Sequence, residues 1–154
     1  MIERLLCAVL RYKNIARQGR LYIRRFYLSP RTWRWRLFLH HIHLPDGDPD
    51  PHDHPFPFTT LCVKGRYVEK VYERARDGQL TGRWTLQATR WLVPRHREAT
   101  HAHRIDQTGP GGAWTLVLAG PSIREWGFFP PTGWVHWAKY LGVPNVTAEE
   151  DKIR

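Results

Sequence analysis

The chain predicts an all-β protein, an antiparallel β-barrel with one amphipathic helix at its N-terminus, and three observations carry the β-barrel part. Short runs rich in aromatic and β-branched residues recur from residue 21 onwards. Clusters of Gly, Pro and Asp separate these runs at 44–51, 77–78, 108–112, 119–122 and 130–133. The helical period found at the start of the chain gives way after Gly19. Many short strands with such punctuation close into a barrel or pack as a sandwich.

Ile2, Leu5, Leu6, Val9 and Leu10 recur at helical spacing, with Arg4, Arg11 and Lys13 on other faces, so residues 2–17 read as one amphipathic helix ended by Gly19. Its apolar stripe is short and is expected to pack on the barrel rather than on a membrane. The expected strands are 21–28, 33–44, 58–63, 67–72, 82–89, 101–106, 113–118, 123–129 and 134–141. Residues 1–20 are thus a basic helical layer, 21–144 the barrel, and 145–154 a polar tail.

At 154 residues, one domain can bury a core without disulfide help. Cys7 and Cys62 are far apart and neither has a second thiol at metal-ligand spacing, which fits a reducing cytoplasm. The apolar run 5–10 is too short to span a bilayer or to form a signal-peptide core. The net charge of +10 is unevenly placed: residues 1–36 hold ten Lys or Arg against the single acid Glu3, and the remainder is nearly balanced. Such asymmetry suits a nucleic acid or an acidic partner, although no nucleic-acid-binding motif lies in the segment and a solvated face explains it as well.

The chemistry concentrates in Pro51-His52-Asp53-His54-Pro55, with Gly65 beyond it and Thr100-His101-Ala102-His103 far downstream. Alternate residues of an extended strand face the same way at about 6.5 Å spacing, so His52 and His54 project together and can close on one metal ion. This stretch resembles the first motif of the cupin superfamily, with Gly65 eleven residues after His54. His-Asp-His-Pro at 52–55, Gly-x-Tyr-x-Glu at 65–69 and Trp-Gly-Phe at 126–128 also resemble a subgroup of bacterial and phage cupins. The resemblance covers roughly residues 33–140 and implies a double-stranded β-helix holding a metal near its centre, with His103 standing for the histidine of the second motif.

Three neutral imidazoles, His52, His54 and His103, suit Fe(II), which is favoured here, or Zn, Ni, Mn or Cu. The position where the cupin pattern has a glutamate ligand is Phe58. The centre is therefore three-histidine, or recruits Glu69, Asp53 or His101, with His96 in reserve. His40, His41 and His43 are expected to pack near the barrel mouth, and His136 to be a core or surface residue. Catalytic candidates are Glu69 beside the metal, Tyr67 as a donor to bound oxygen, and Arg124 as a partner for a substrate carboxylate or phosphate. The expected function is a metal-dependent, Fe(II) dioxygenase-like enzyme on a small polar molecule, with a homodimer in keeping with the resemblance. Other readings are an isomerase or lyase using the metal as Lewis acid, or a noncatalytic module whose basic layer binds nucleic acid or an acidic protein.

Overall fold

The computed structural model describes residues 2–17 and 19–143, so the expected tail at 145–154 lies outside the described residues. Helix α1 (Ile2–Val9) is followed by β1 (Tyr12–Arg17), β2 (Arg20–Tyr27), β3 (Arg36–Ile42), β4 (Phe58–Arg74), β5 (Leu80–Ala88), β6 (Arg95–Arg97), β7 (Ala102–Ala119), β8 (Gly127–Phe128), β9 (Val135–His136) and α2 (Trp137–Tyr140). The main sheet runs β1-β2-β3-β7-β4-β5, with β6 also on β4, and β8 and β9 form a separate hairpin. Each pair of neighbouring strands is antiparallel.

The helix stops eight residues before the end expected for it. Leu10 N–H closes the last turn on Leu6 C=O, and the backbone from Tyr12 onwards pairs instead with β2. Beyond Leu10 the apolar stripe lapses, since its next helical positions are Lys13 and Arg17 and Ile15 falls off it, and the nearby partner strand takes the segment. Gly19, at φ +73°, is the turn of this hairpin rather than a helix cap. No residue of α1 is buried, so its stripe does not pack into the core as expected.

The expected strands 58–63 and 67–72 are one long strand, as are 101–106 and 113–118. Their bends occur at register shifts next to Gly65 and the Gly111–Gly112 turn, all at positive φ. A Cβ on Gly65 would lie 2.2 Å from Gly112 O, so this glycine serves both the left-handed conformation and the close approach of β7. We expect Gly65→Ala to destabilise the fold by about 1–3 kcal/mol from backbone strain alone, with the backbone clash adding to it; urea unfolding of the two proteins measures the loss. Of 123–129 only β8 is extended, and 134–141 divides into β9 and α2, where the His136 side chain accepts from Ala138 N–H at 3.4 Å.

The curled sheet turns Phe38, His40 and Ile42 of β3 inwards, opposite Val117, Thr115 and Ala113 of β7. One apolar cluster gathers Tyr22, Ile42, Tyr67, Ile105 and Ala113, and a second gathers Phe38, Phe58, Val117 and Ala119. Each such buried aromatic or branched aliphatic side chain contributes about 1.5–3 kcal/mol of transfer free energy. Phe128 and Trp137 form a third cluster on the β8–α2 side. Together these walls leave a cavity of about 470 Å³.

Candidate metal centre

His52, His54 and His103 meet on the wall of this cavity. His52 is brought to His103 by backbone pairing, since each donates its N–H to the other's carbonyl, at 2.9 and 3.0 Å. His54, two residues on in an extended segment, falls on the same side. The three ring centroids lie 5.1, 5.0 and 5.0 Å apart, a nearly equilateral triangle. One nitrogen from each ring lies within 4.8 Å of the others, and His54 Nε2 is 2.8 Å from His103 Nε2. Two imidazole nitrogens this close need either a shared proton or a cation between their lone pairs, so the donor set fits a transition-metal ion.

Glu69 secures the third ligand. Its Oε2 is 3.0 Å from His103 Nδ1, which must carry the proton, leaving Nε2 as the metal-facing lone pair. Glu69 is 2% exposed. Burial opposes its ionisation, but the nearby His101, the hydrogen bond from His103 and the charge of Arg97 hold its carboxyl well below the usual range. His101 Nε2 and Arg97 Nη2 lie 3.6 and 3.7 Å from the same oxygen. Burial pushes His52 down to about 4 against the opposing charge of Asp46. Burial and then the neighbouring imidazoles His103 and His52 likewise lower His54, so both rings stay neutral as ligands must.

Phe58 stands where a carboxylate ligand was sought, its ring 4.5 Å from that of His54, and walls the centre with hydrocarbon. Tyr67 lines the cavity beside Glu69. Burial and the Glu69 charge push its phenol up, so it remains a hydrogen-bond donor. Asp53, which alternates away from the two histidines, is fully buried and bound to protein rather than turned to a metal.

Arg124 corrects one expectation. Its Nη1 donates to Asp53 Oδ2 at 2.6 Å, so the guanidinium is engaged by a buried carboxylate and does not line the cavity. A different arginine does. Arg25, opposite His40 in the β2–β3 register, donates Nε–H to His40 Nε2 at 3.0 Å and brings a positive charge to the cavity wall. Burial and the Arg25 charge lower His40, which accepts as a neutral ring. The alternation of Arg25 with Ile23 and Tyr27 was the available signal; the abundance of arginine in the segment hid it. Asp46 was also missed: it faces His52 Nδ1 at 3.8 Å and accepts from Ile105 N–H at 2.7 Å.

The basic N-terminal layer is partly spent inside the fold. Arg17 pairs with Asp48 at 3.1 Å and Arg24 with Glu3 at 2.9 Å, while Arg11 lies 4.0 Å over the Tyr27 ring. His96 and His136 pair with Glu98 and Glu125 away from the centre. Among the described residues no helix is long and apolar enough to cross a membrane.

No family model matches the sequence, and no curated protein matches it. Solved structures do. The Fe(II) form of HppE aligns over 73% of this chain at TM-score 0.55 and 11% identity. A candidate mannose-6-phosphate isomerase from Ralstonia eutropha aligns over 76% of this chain and 95% of its own, at TM-score 0.53 and 14% identity. The fold is cupin-like. A variant of oxalate decarboxylase from Bacillus subtilis aligns over 94% of this chain at TM-score 0.56 and 11% identity. The chain spans 57% of the length of HppE and 34% of that of the decarboxylase. These similarities establish the architecture around the histidines.

Proposed function

We propose that this protein is a metal-dependent enzyme in which His52, His54 and His103 hold Fe(II) and the adjoining cavity takes a small polar, anionic molecule for dioxygen-dependent oxidation. The observation that carries the reading is the triangle of three imidazoles, His103 buried and His52 and His54 partly so, with the His54–His103 nitrogens 2.8 Å apart, opening on a cavity of about 470 Å³. HppE has been described with Fe(II) and in complex with its substrate, which supports iron as the first choice. When bound to three neutral ligands on one face, ferrous iron supplies redox chemistry and open positions for substrate and dioxygen.

The chain's own groups divide the remaining work. Glu69 fixes the His103 tautomer and offsets part of the cation's charge. Tyr67 stays protonated and donates to an oxygen of the bound molecule. Arg25, oriented by His40, attracts the anionic end of the substrate. Phe58 and the apolar walls exclude bulk water, which strengthens every charge interaction inside.

The test does not need the substrate. Purified protein reconstituted with Fe(II) without oxygen is exposed to nitric oxide, which takes the position of dioxygen. Stoichiometric high-spin iron–nitrosyl resonance, abolished in His52→Ala and His54→Ala, is the expected result. Iron that binds tightly but gives no nitrosyl signal would mean a closed centre and would overturn the enzymatic reading in favour of a structural one.

A further inference from the structure

The outer face of the sheet carries a second set of ligand groups that the cavity chemistry does not use. His41 alternates with His40 along β3 and therefore points away from the cavity, with its ring stacked on Trp114 at 4.2 Å between centroids. His43 lies beside it, the two ring centroids 3.9 Å apart. Glu3, brought over from α1, places Oε1 3.0 Å from His41 Nδ1 and 3.3 Å from His43 Nε2. One ligand atom from each of the three residues lies within 4.8 Å of the others.

Two details point to a cation at this spot. His41 Nε2 is 3.1 Å from the carbonyl oxygen of Gly111, a pure acceptor, so Nε2 carries the proton. Nδ1 then faces a carboxylate oxygen 3.0 Å away, a contact that takes either a second proton on the ring or a bound cation between the two atoms. His43 Nε2 is shielded from solvent and, among the described residues, has no hydrogen-bond partner despite its closeness to Glu3. Arg24 Nη1 donates to the same Glu3 oxygen at 2.9 Å, which competes for that oxygen's charge. A carboxylate oxygen accepts both a metal and a hydrogen bond, and ligating carboxylates commonly have such a partner.

We propose that Glu3, His41 and His43 form a second metal site, for Zn(II) or a similar borderline divalent ion, that fastens α1 to the outer face of the sheet. Two imidazoles and one carboxylate, with a water completing a tetrahedron, are a zinc donor set. The helix has need of such a fastening. Its Ile2, Leu5 and Val9 are 60, 62 and 76% exposed, and none of its residues is buried, so apolar packing holds it weakly. Binding the ion links residues 38 and 40 positions apart in the chain through one bond each.

The experiment titrates Zn(II) into full-length protein against a chromophoric chelator. It is repeated with His54→Ala/His103→Ala, which removes the cavity centre, and with Glu3→Gln and His41→Ala/His43→Ala. Expected are two equivalents for wild type, one for the cavity variant, and a fall of at least about tenfold in the affinity of that remaining equivalent when Glu3→Gln is added. Glu3→Gln keeps the size of the side chain, and no residue of α1 is buried, so the variant is expected to fold. Zinc should also slow amide exchange across residues 2–9 in wild type and not in Glu3→Gln. Unchanged zinc affinity on Glu3→Gln, or zinc binding that leaves α1 exchange unaltered, overturns the proposal. If the cavity binds no metal, wild type still shows one equivalent and Glu3→Gln still weakens it, so the two centres stand or fall separately.

Discussion

His54→Ala reduces the metal content of the cavity from about one equivalent to near zero while leaving the protein folded, and His103→Ala does the same with a loss of stability added. Both are measured in the Glu3→Gln background, so that only the cavity contributes metal. The difference between the two variants follows from what each ring does when no metal is bound. His54 contacts the other two rings and Phe58, and its deletion leaves a small space at a cavity wall. His103 is also the best partner of Glu69, whose remaining neighbours His101 and Arg97 lie 3.6 and 3.7 Å away. Removing it strands a buried carboxylate, at a cost of about 1–3 kcal/mol. Urea unfolding with metal analysis on the same samples separates the effects. Wild-type metal content in either variant would show that the triangle of histidines is not the centre.

The parts of this site that could be read from the chain are those with a local signal. His52 and His54 share a face because a strand alternates with period two, and that rule needs no knowledge of the fold. The link from Glu69 to His103 spans 34 residues and depends on the β4–β7 register, which the sequence does not display. Gly65, Gly111 and Gly112 were legible as turn residues, yet the chain bends through them without leaving the strands, so each long strand reads as two. The hairpin of β1 and β2 is hard to read from the chain because Tyr12–Arg17 is short and largely polar and shows no alternation of apolar residues. Arg124 looked like the substrate's arginine and Arg25 did not. The partner that decides it, the fully buried Asp53, is 71 residues from Arg124 in sequence.

Asp53 is therefore where the largest loss of stability is expected. It lies between the two histidines of the motif and faces the other way, with no exposed surface. Oδ2 accepts from Arg124 Nη1 at 2.6 Å and from Arg74 Nη1 at 3.3 Å, while Oδ1 accepts from the backbone N–H of Gly127 at 2.8 Å. Trp134 Nε1 approaches Oδ1 at 3.5 Å. One carboxylate thus ties the histidine segment to β4, to the 120–126 segment and to β8, where the missing Cβ of Gly127 lets its backbone lie against Val135, whose carbonyl oxygen a Cβ would meet at 2.2 Å. Asp53→Ala leaves the buried Gly127 amide without its acceptor and Arg124 and Arg74 with backbone carbonyls alone, without their carboxylate, which costs about 3–5 kcal/mol, a large part of the roughly 5–15 kcal/mol that holds such a domain together. Asp53→Asn keeps an oxygen for Gly127 but turns its amide or loses its charge towards Arg124, so its effect should lie between wild type and alanine. Metal affinity should fall in the same order, because the backbone that aims His52 and His54 is released. An unfolding free energy of Asp53→Ala from urea titration within about 1 kcal/mol of wild type, at an unchanged slope, would show that the two arginines find other partners and that the histidine segment is held by its backbone pairing with His103 alone.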